Sequence, residues 1–216
     1  MTVPYLNPVK LEDRLLYLYL FGKLHEIDRP VNQVQEHKLY FLSQWEAIND
    51  KGILTCIRFM REKRGPVAPH LYDLERYYTK TKLLDVFDVQ YYDMPQKLLS
   101  ISKEGFKIFN ELKDFFKEES RYLKYMDTAI SKFGKETGWD MRQYVYKIEI
   151  NGVRIEDYPI KSDIPTIPDT PSWQWSIPDG WKYTIQYLLT PGNYELLEKI
   201  SAENCSEPFT TWQGAR

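Results

Sequence analysis

The chain has 216 residues, of which 43% are hydrophobic and 28% charged, with a formal net charge of −2. Together with a mean hydropathy of −0.54, this predicts a soluble protein of one or two modest domains and excludes nucleic-acid binding by bulk attraction alone. The most apolar stretch, Leu15 to Leu24, falls short of the roughly 18 residues a membrane span needs, and the first residues lack the basic start and apolar run of a secretory signal. No membrane association and a cytoplasmic location are therefore expected.

In chain order, Leu11 to Leu24 is apolar nearly all round and predicts a central helix covered by its neighbours. After Arg29-Pro30, Val31 to Ile48 predicts a second helix with Val34, Phe41, Trp45 and Ile48 on one face. Lys38 shares that face, so its ammonium must either reach the surface or meet a carboxylate. Asp50-Lys51-Gly52 reads as a turn and Leu54 to Met60 as a strand. Arg58, Arg61, Lys63 and Arg64 follow, opposed only by Glu62. The two prolines of Gly65-Pro66-Val67-Ala68-Pro69 then predict a fixed loop in place of helix or central strand. Pro69 suits the first position of a helix through Leu71, Leu74 and Tyr78.

Asp85 to Tyr92 alternates, and with a returning strand from Lys97 to Ile101 it predicts a β-hairpin. Ser102 caps a helix expected to reach about Phe116. Tyr122, Met126, Ala129, Ile130 and Phe133 predict an amphipathic helix, with Gly134 beyond it able to adopt positive φ. Thr137 to Asp140 resembles a helix start leading into Met141, Val145 and Ile148. Five prolines between Tyr158 and Pro178 predict an extended, wrapping path, the alternation from Trp181 to Leu189 a strand, and Tyr194 to Ile200 a short helix. The fold class is mainly α with a small β-hairpin, an α+β arrangement. A helical domain over residues 1–150 is followed by an acidic, Pro/Trp-rich extension over 151–216.

The three histidines and two cysteines show no Cys-x-x-Cys, His-x3-His or His-Glu-x-x-His spacing, and the ten glycines form no nucleotide-binding pattern. No metal, cofactor or catalytic residue is expected. Arg58, Arg61, Lys63 and Arg64 have the chemistry to grip phosphate or an acidic protein surface, or else form a solvated edge that discourages strand pairing. Trp173, Trp175 and Trp181 lie among prolines, where indoles either anchor a partner or fill the chain's own core.

Three stretches follow one another in a recognisable order: Lys38-Leu39-Tyr40-Phe41-Leu42, then Arg64-Gly65-Pro66-Val67-Ala68-Pro69-His70-Leu71-Tyr72, then Asp127 with Phe133-Gly134. In this order residues 10 to 148 resemble the SocA-type Panacea antitoxin domain of bacteria and their phages, although Arg64 stands where the family has an aromatic residue. The resemblance implies a mostly helical domain with a small hairpin and no enzymatic centre. It further implies binding and neutralisation of a cognate protein toxin, in some members as an adaptor for a proteolysis machine. Lys38, Gly65, Pro66, Leu71 and Tyr72 are the matched motif positions. The expected function is thus a non-enzymatic antitoxin that meets its partner through Arg58, Arg61, Lys63, Arg64, Trp173, Trp175 and Trp181. The alternative is a winged-helix-like DNA-binding regulator that carries the basic cluster to phosphate.

Overall fold

A computed structural model describes residues 10–91 and 94–190. The expected helix at 194–200, with Cys205 and Trp212, lies outside the described residues. The protein is mainly helical, with eight α-helices among the described residues and strands in small separate sheets.

At the centre runs α1 (Leu11–Glu26), where every residue from Leu15 to Gly22 is buried, as its all-round apolar sequence requires. Its Gly22 lies against the Phe109 ring, and a Cβ there would come within 2.2 Å of that ring. Beside it lies α2 (Gln33–Asn49), opened by a reciprocal capping box in which Asn32 and Gln35 each accept the other's backbone N–H at 3.0 Å. Eleven residues of α2 are buried, ten of them from Gln35 to Gln44 without interruption, so the helix is enclosed on more than the one face its apolar spacing suggests.

The strand expected from Leu54 is shorter than its sequence pattern. Gln44 Oε1 accepts from the backbone N–H groups of both Leu54 and Thr55 at 3.0 Å, so a side chain takes the place of a strand partner. Pairing begins only with β2 (Phe59–Glu62), after the short β1 (Gly52–Ile53). The Gly-Pro segment, expected as a loop, supplies β3 (Gly65–Val67), antiparallel to β2 with Arg61 opposite Pro66. Because β3 is an edge strand, the missing proline N–H costs no ladder bond. Pro69 opens α3 (Pro69–Lys80) at the position that suits it.

The expected hairpin is β4 (Leu84–Tyr91) with β5 (Met94–Ile101). The helix expected from Ser102 to Phe116 is two, α4 (Lys103–Glu111) and α5 (Lys113–Glu118), because the chain bends at Leu112. Next comes α6 (Ser120–Phe133), and Gly134 beyond it is right-handed at φ −59°, against the positive φ expected. A Cβ there would lie 2.6 Å from the Ile130 carbonyl oxygen, so close approach and not handedness selects glycine. Thr137 caps α7 (Gly138–Tyr146), as its sequence predicts, by accepting from Asp140 N–H.

Residues 151–190 pack against the rest of the described chain. The boundary expected at 150 falls inside a hairpin of β6 (Glu149–Ile150) and β7 (Val153–Arg154). Further on, β8 (Asp163–Ile164) pairs with β2, and β9 (Trp173–Gln174) runs parallel to β1. Ile155, Ile164, Trp175, Ile177, Ile185 and Leu189 join one core with α1 and α2. The strand expected from Trp181 is instead α8 (Asp179–Leu188). Trp181, Ile185, Leu188 and Leu189 follow helical spacing toward the core, whereas Tyr183 and Tyr187 are exposed.

Candidate functional site

Lys38, Gly65, Pro66, Leu71 and Tyr72 come together where α2 meets the β2–β3 turn and the start of α3. Lys63 and Arg64 form the tip of that turn, closed by Gly65 at φ 111°, a conformation that explains glycine without any appeal to space. Lys38 neither reaches the surface nor meets a carboxylate. It is buried, and its Nζ donates to the Arg64 carbonyl at 2.8 Å and more weakly to Val34 at 3.4 Å. Burial first, then the nearby Arg142 and Arg64 charges, brings its pKa down to about 7.

His37 is buried beside it, and its Nδ1 accepts the Ala68 N–H at 3.1 Å. That bond assigns the neutral-ring proton to Nε2, which has no acceptor among the described residues. Burial holds the imidazole pKa down to about 4. The Tyr72 ring packs 4.7 Å from the imidazole, centroid to centroid, and is itself 40% exposed. Together these residues line a pocket of about 550 Å³ that also includes Gln33, Lys63, Arg64 and Pro66. Leu71 is fully buried and roots α3 in the core behind it.

Deeper in α2, Glu36 is fully buried, and the polar group that faces its carboxyl is the equally buried Tyr17 hydroxyl. Burial pushes the Glu36 carboxyl well above the usual carboxylate range, which favours the protonated form. Sequence reasoning missed Glu36 and His37. Their only signal is that four polar residues, Gln35 to Lys38, sit consecutively in a helix whose other side is also apolar.

The basic cluster does not act as one surface. Arg58, Lys63 and Arg64 are exposed, but Arg61 is buried, with its Nε donating to the Ile155 carbonyl at 2.9 Å. The Arg61 and Arg142 guanidinium groups lie 4.6 and 4.8 Å from the Tyr146 ring centroid, and the Tyr146 hydroxyl donates to the Lys63 carbonyl.

The indoles are likewise used inside the molecule. Trp175 is 3% exposed, and its Nε1 donates to Glu119 at 2.9 Å. Trp173 stacks on Tyr125 at 5.1 Å and 18°, while Trp181 packs on Phe115 and donates to Glu118. Among the described residues, no helix is long and apolar enough to cross a membrane, and no group of three or more His, Cys, Asp or Glu side chains is placed to hold a metal ion. No family model matches the chain, and no curated protein matches it.

Proposed function

We propose that this chain is a Panacea-type antitoxin, a protein-binding module that neutralises a cognate protein toxin by direct contact. The observation that carries this reading is the convergence of three motif residues, Lys38, Pro66 and Tyr72, separated by up to 34 positions in sequence, on one pocket, with Gly65 in the adjoining turn and Leu71 buried behind it. Each has a distinct physical task there. Gly65 and Pro66 fix the turn, Lys38 clamps its carbonyl, Leu71 anchors the next helix, and Tyr72 stands at the opening. Lys38 already bonds two carbonyls, which suits it to holding a recognition loop. Partner capture alone, or capture followed by delivery to a proteolysis machine, both use such a surface.

The DNA-regulator reading has less support. Arg61 is committed to Tyr146 and Ile155, Arg58 precedes β2, and Lys63 and Arg64 sit on the β2–β3 turn, a different hairpin from the wing-like β4–β5. Co-expression with the product of the adjacent open reading frame tests the proposal. Restored growth of cells poisoned by that product, together with co-purification of the two chains, is expected. Failure of both overturns it.

A further inference from the structure

A second pocket of about 650 Å³ adjoins the first, and Val34 and Arg64 line both. Its walls come from the residues before α2, the outer half of the β4–β5 hairpin and the first turn of α7. Three guanidinium side chains, Arg29, Arg64 and Arg142, line it with no carboxylate among its lining residues. Across both pockets the cations are Lys38, Lys63, Arg64, Arg29 and Arg142, against Glu62 alone. None of the five pairs with a carboxylate among the described residues. In a chain of net charge −2 this is a pronounced local excess of positive charge.

Three further features mark the cleft as a binding site. The Nε atoms of Arg29 and Arg142 and the Nε2 of buried His37 are all enclosed without a hydrogen-bond partner among the described residues. Trp139 is 62% exposed at the rim, and the Arg142 guanidinium lies 5.6 Å from its ring centroid. Gly138 and Trp139, the first residues of α7, line the same pocket, and glycine at that position leaves the cleft unfilled.

We propose that the double pocket receives an acidic segment of the partner protein. Its carboxylates meet Arg29, Arg64 and Arg142, and an apolar side chain settles against Trp139 and Leu98. This rests on the protein-binding reading above and names the chemistry of what is bound. A peptide is favoured over a nucleic acid because the cations are confined to two pockets with apolar walls, including Pro30, Val89 and Leu98. A polynucleotide needs a basic track long enough to follow its backbone.

The test uses the full chain and three fluorescent probes read by anisotropy: a twelve-residue peptide of alternating Glu and Leu, its Gln counterpart, and a twelve-nucleotide oligothymidylate. The acidic peptide is expected to bind at least tenfold more tightly than the Gln peptide and more tightly than the oligonucleotide, and to weaken as salt rises. Arg64→Gln should lose at least tenfold. Arg64 is exposed, and the carbonyl it offers Lys38 is unchanged, so the fold is retained. Gly138→Leu is the independent variant. Its Cβ would lie 3.6 Å from Gln35 and Val34, an ordinary contact, and its side chain fills the cleft while leaving every charge in place. Equal binding of the two peptides, no binding at low salt, insensitivity to both variants, or tighter oligonucleotide binding would each overturn the inference. Growth rescue separates it from the antitoxin reading. A chain that binds the acidic peptide through Arg64 but rescues no growth keeps the cleft and loses that reading. If Arg64→Gln and Gly138→Leu both rescue as well as the unaltered chain, the assignment of the cleft to the partner fails while the antitoxin reading stands.

Discussion

The tryptophan-bearing segment from Asp163 to Leu188 and the cleft beside α2 both carry residue types that recur at protein interfaces, and they use them in opposite ways. In the first, each indole N–H of Trp175 and Trp181 has a carboxylate acceptor from α5 or the residue after it, and Trp173 stacks on Tyr125 with Tyr122 tilted against it. In the second, buried nitrogens of Arg29, His37 and Arg142 remain without acceptors. Aromatic content alone therefore does not distinguish an anchor awaiting a partner from one already seated. The state of the polar handle does, since an internal core is selected to satisfy its own donors.

The sharpest way to break this comparison is Trp175→Ala. Loss of a buried indole, with the Glu119 carboxylate left unpaired, should cost about 3–5 kcal/mol and lower the melting temperature by several degrees or more. An unchanged melting temperature with lost partner capture would return Trp175 to the interface. A smaller loss is expected at Gly52→Ala, where the new Cβ would fall 1.9 Å from the Trp173 ring. The indole would have to leave its stack on Tyr125, at a cost of about 1–3 kcal/mol, readable by denaturant titration and near-ultraviolet circular dichroism. On the cleft side, Gly65→Ala forces a Cβ onto a backbone at φ 111° and should cost about 1–2 kcal/mol. It should also weaken partner capture, because the strained turn carries Lys63 and Arg64. Stability unchanged within error would show that the turn relaxes freely.

Much of this fold was legible because local patterns agreed with tertiary needs. The all-apolar α1, the α6 stripe, the Thr137 cap and the β4–β5 alternation each lead to the element that forms. The failures share a cause: a period read one residue at a time admits two answers when aromatic and polar residues mix. Trp181, Tyr183, Ile185 and Tyr187 alternate, but Trp181, Ile185, Leu188 and Leu189 also fit a helix, and the Asp179–Lys182 pair at 2.7 Å supports the helix that formed. The basic cluster was visible as a run, whereas its division follows from where β2 begins and ends: Arg61 is on the strand's inward face, Arg58 precedes the strand, and Lys63 and Arg64 form the turn after it. Arg29 and Arg142, 113 positions apart, meet at the cleft only through the packing of α2 and α7, and no spacing in the sequence announces that.

The smallest effect belongs to Glu36, and its direction is fixed by linkage. The native carboxyl holds its proton above the ordinary value of 4.5, whereas the unfolded chain releases it there. As pH rises above about 4.5, the native state therefore binds more protons than the unfolded state, and this group lowers stability until its native pKa is passed. Glu36→Gln removes the ionisation but keeps an amide in the same enclosed place, so the gain should be modest, about 1 kcal/mol at pH 8, and should vanish near pH 4. His37, held down to about 4, pulls in the opposite sense between that value and its ordinary 6.5, but it is common to both proteins and cancels in their difference. Denaturant midpoints of the two proteins across pH 4 to 8 check this. A variant less stable than the parent at pH 8 would mean that Glu36 is an ionised carboxylate with a cationic partner. The carboxyl on the α2 side of the cleft would then have its partner within the molecule, as the indole N–H groups of Trp175 and Trp181 do.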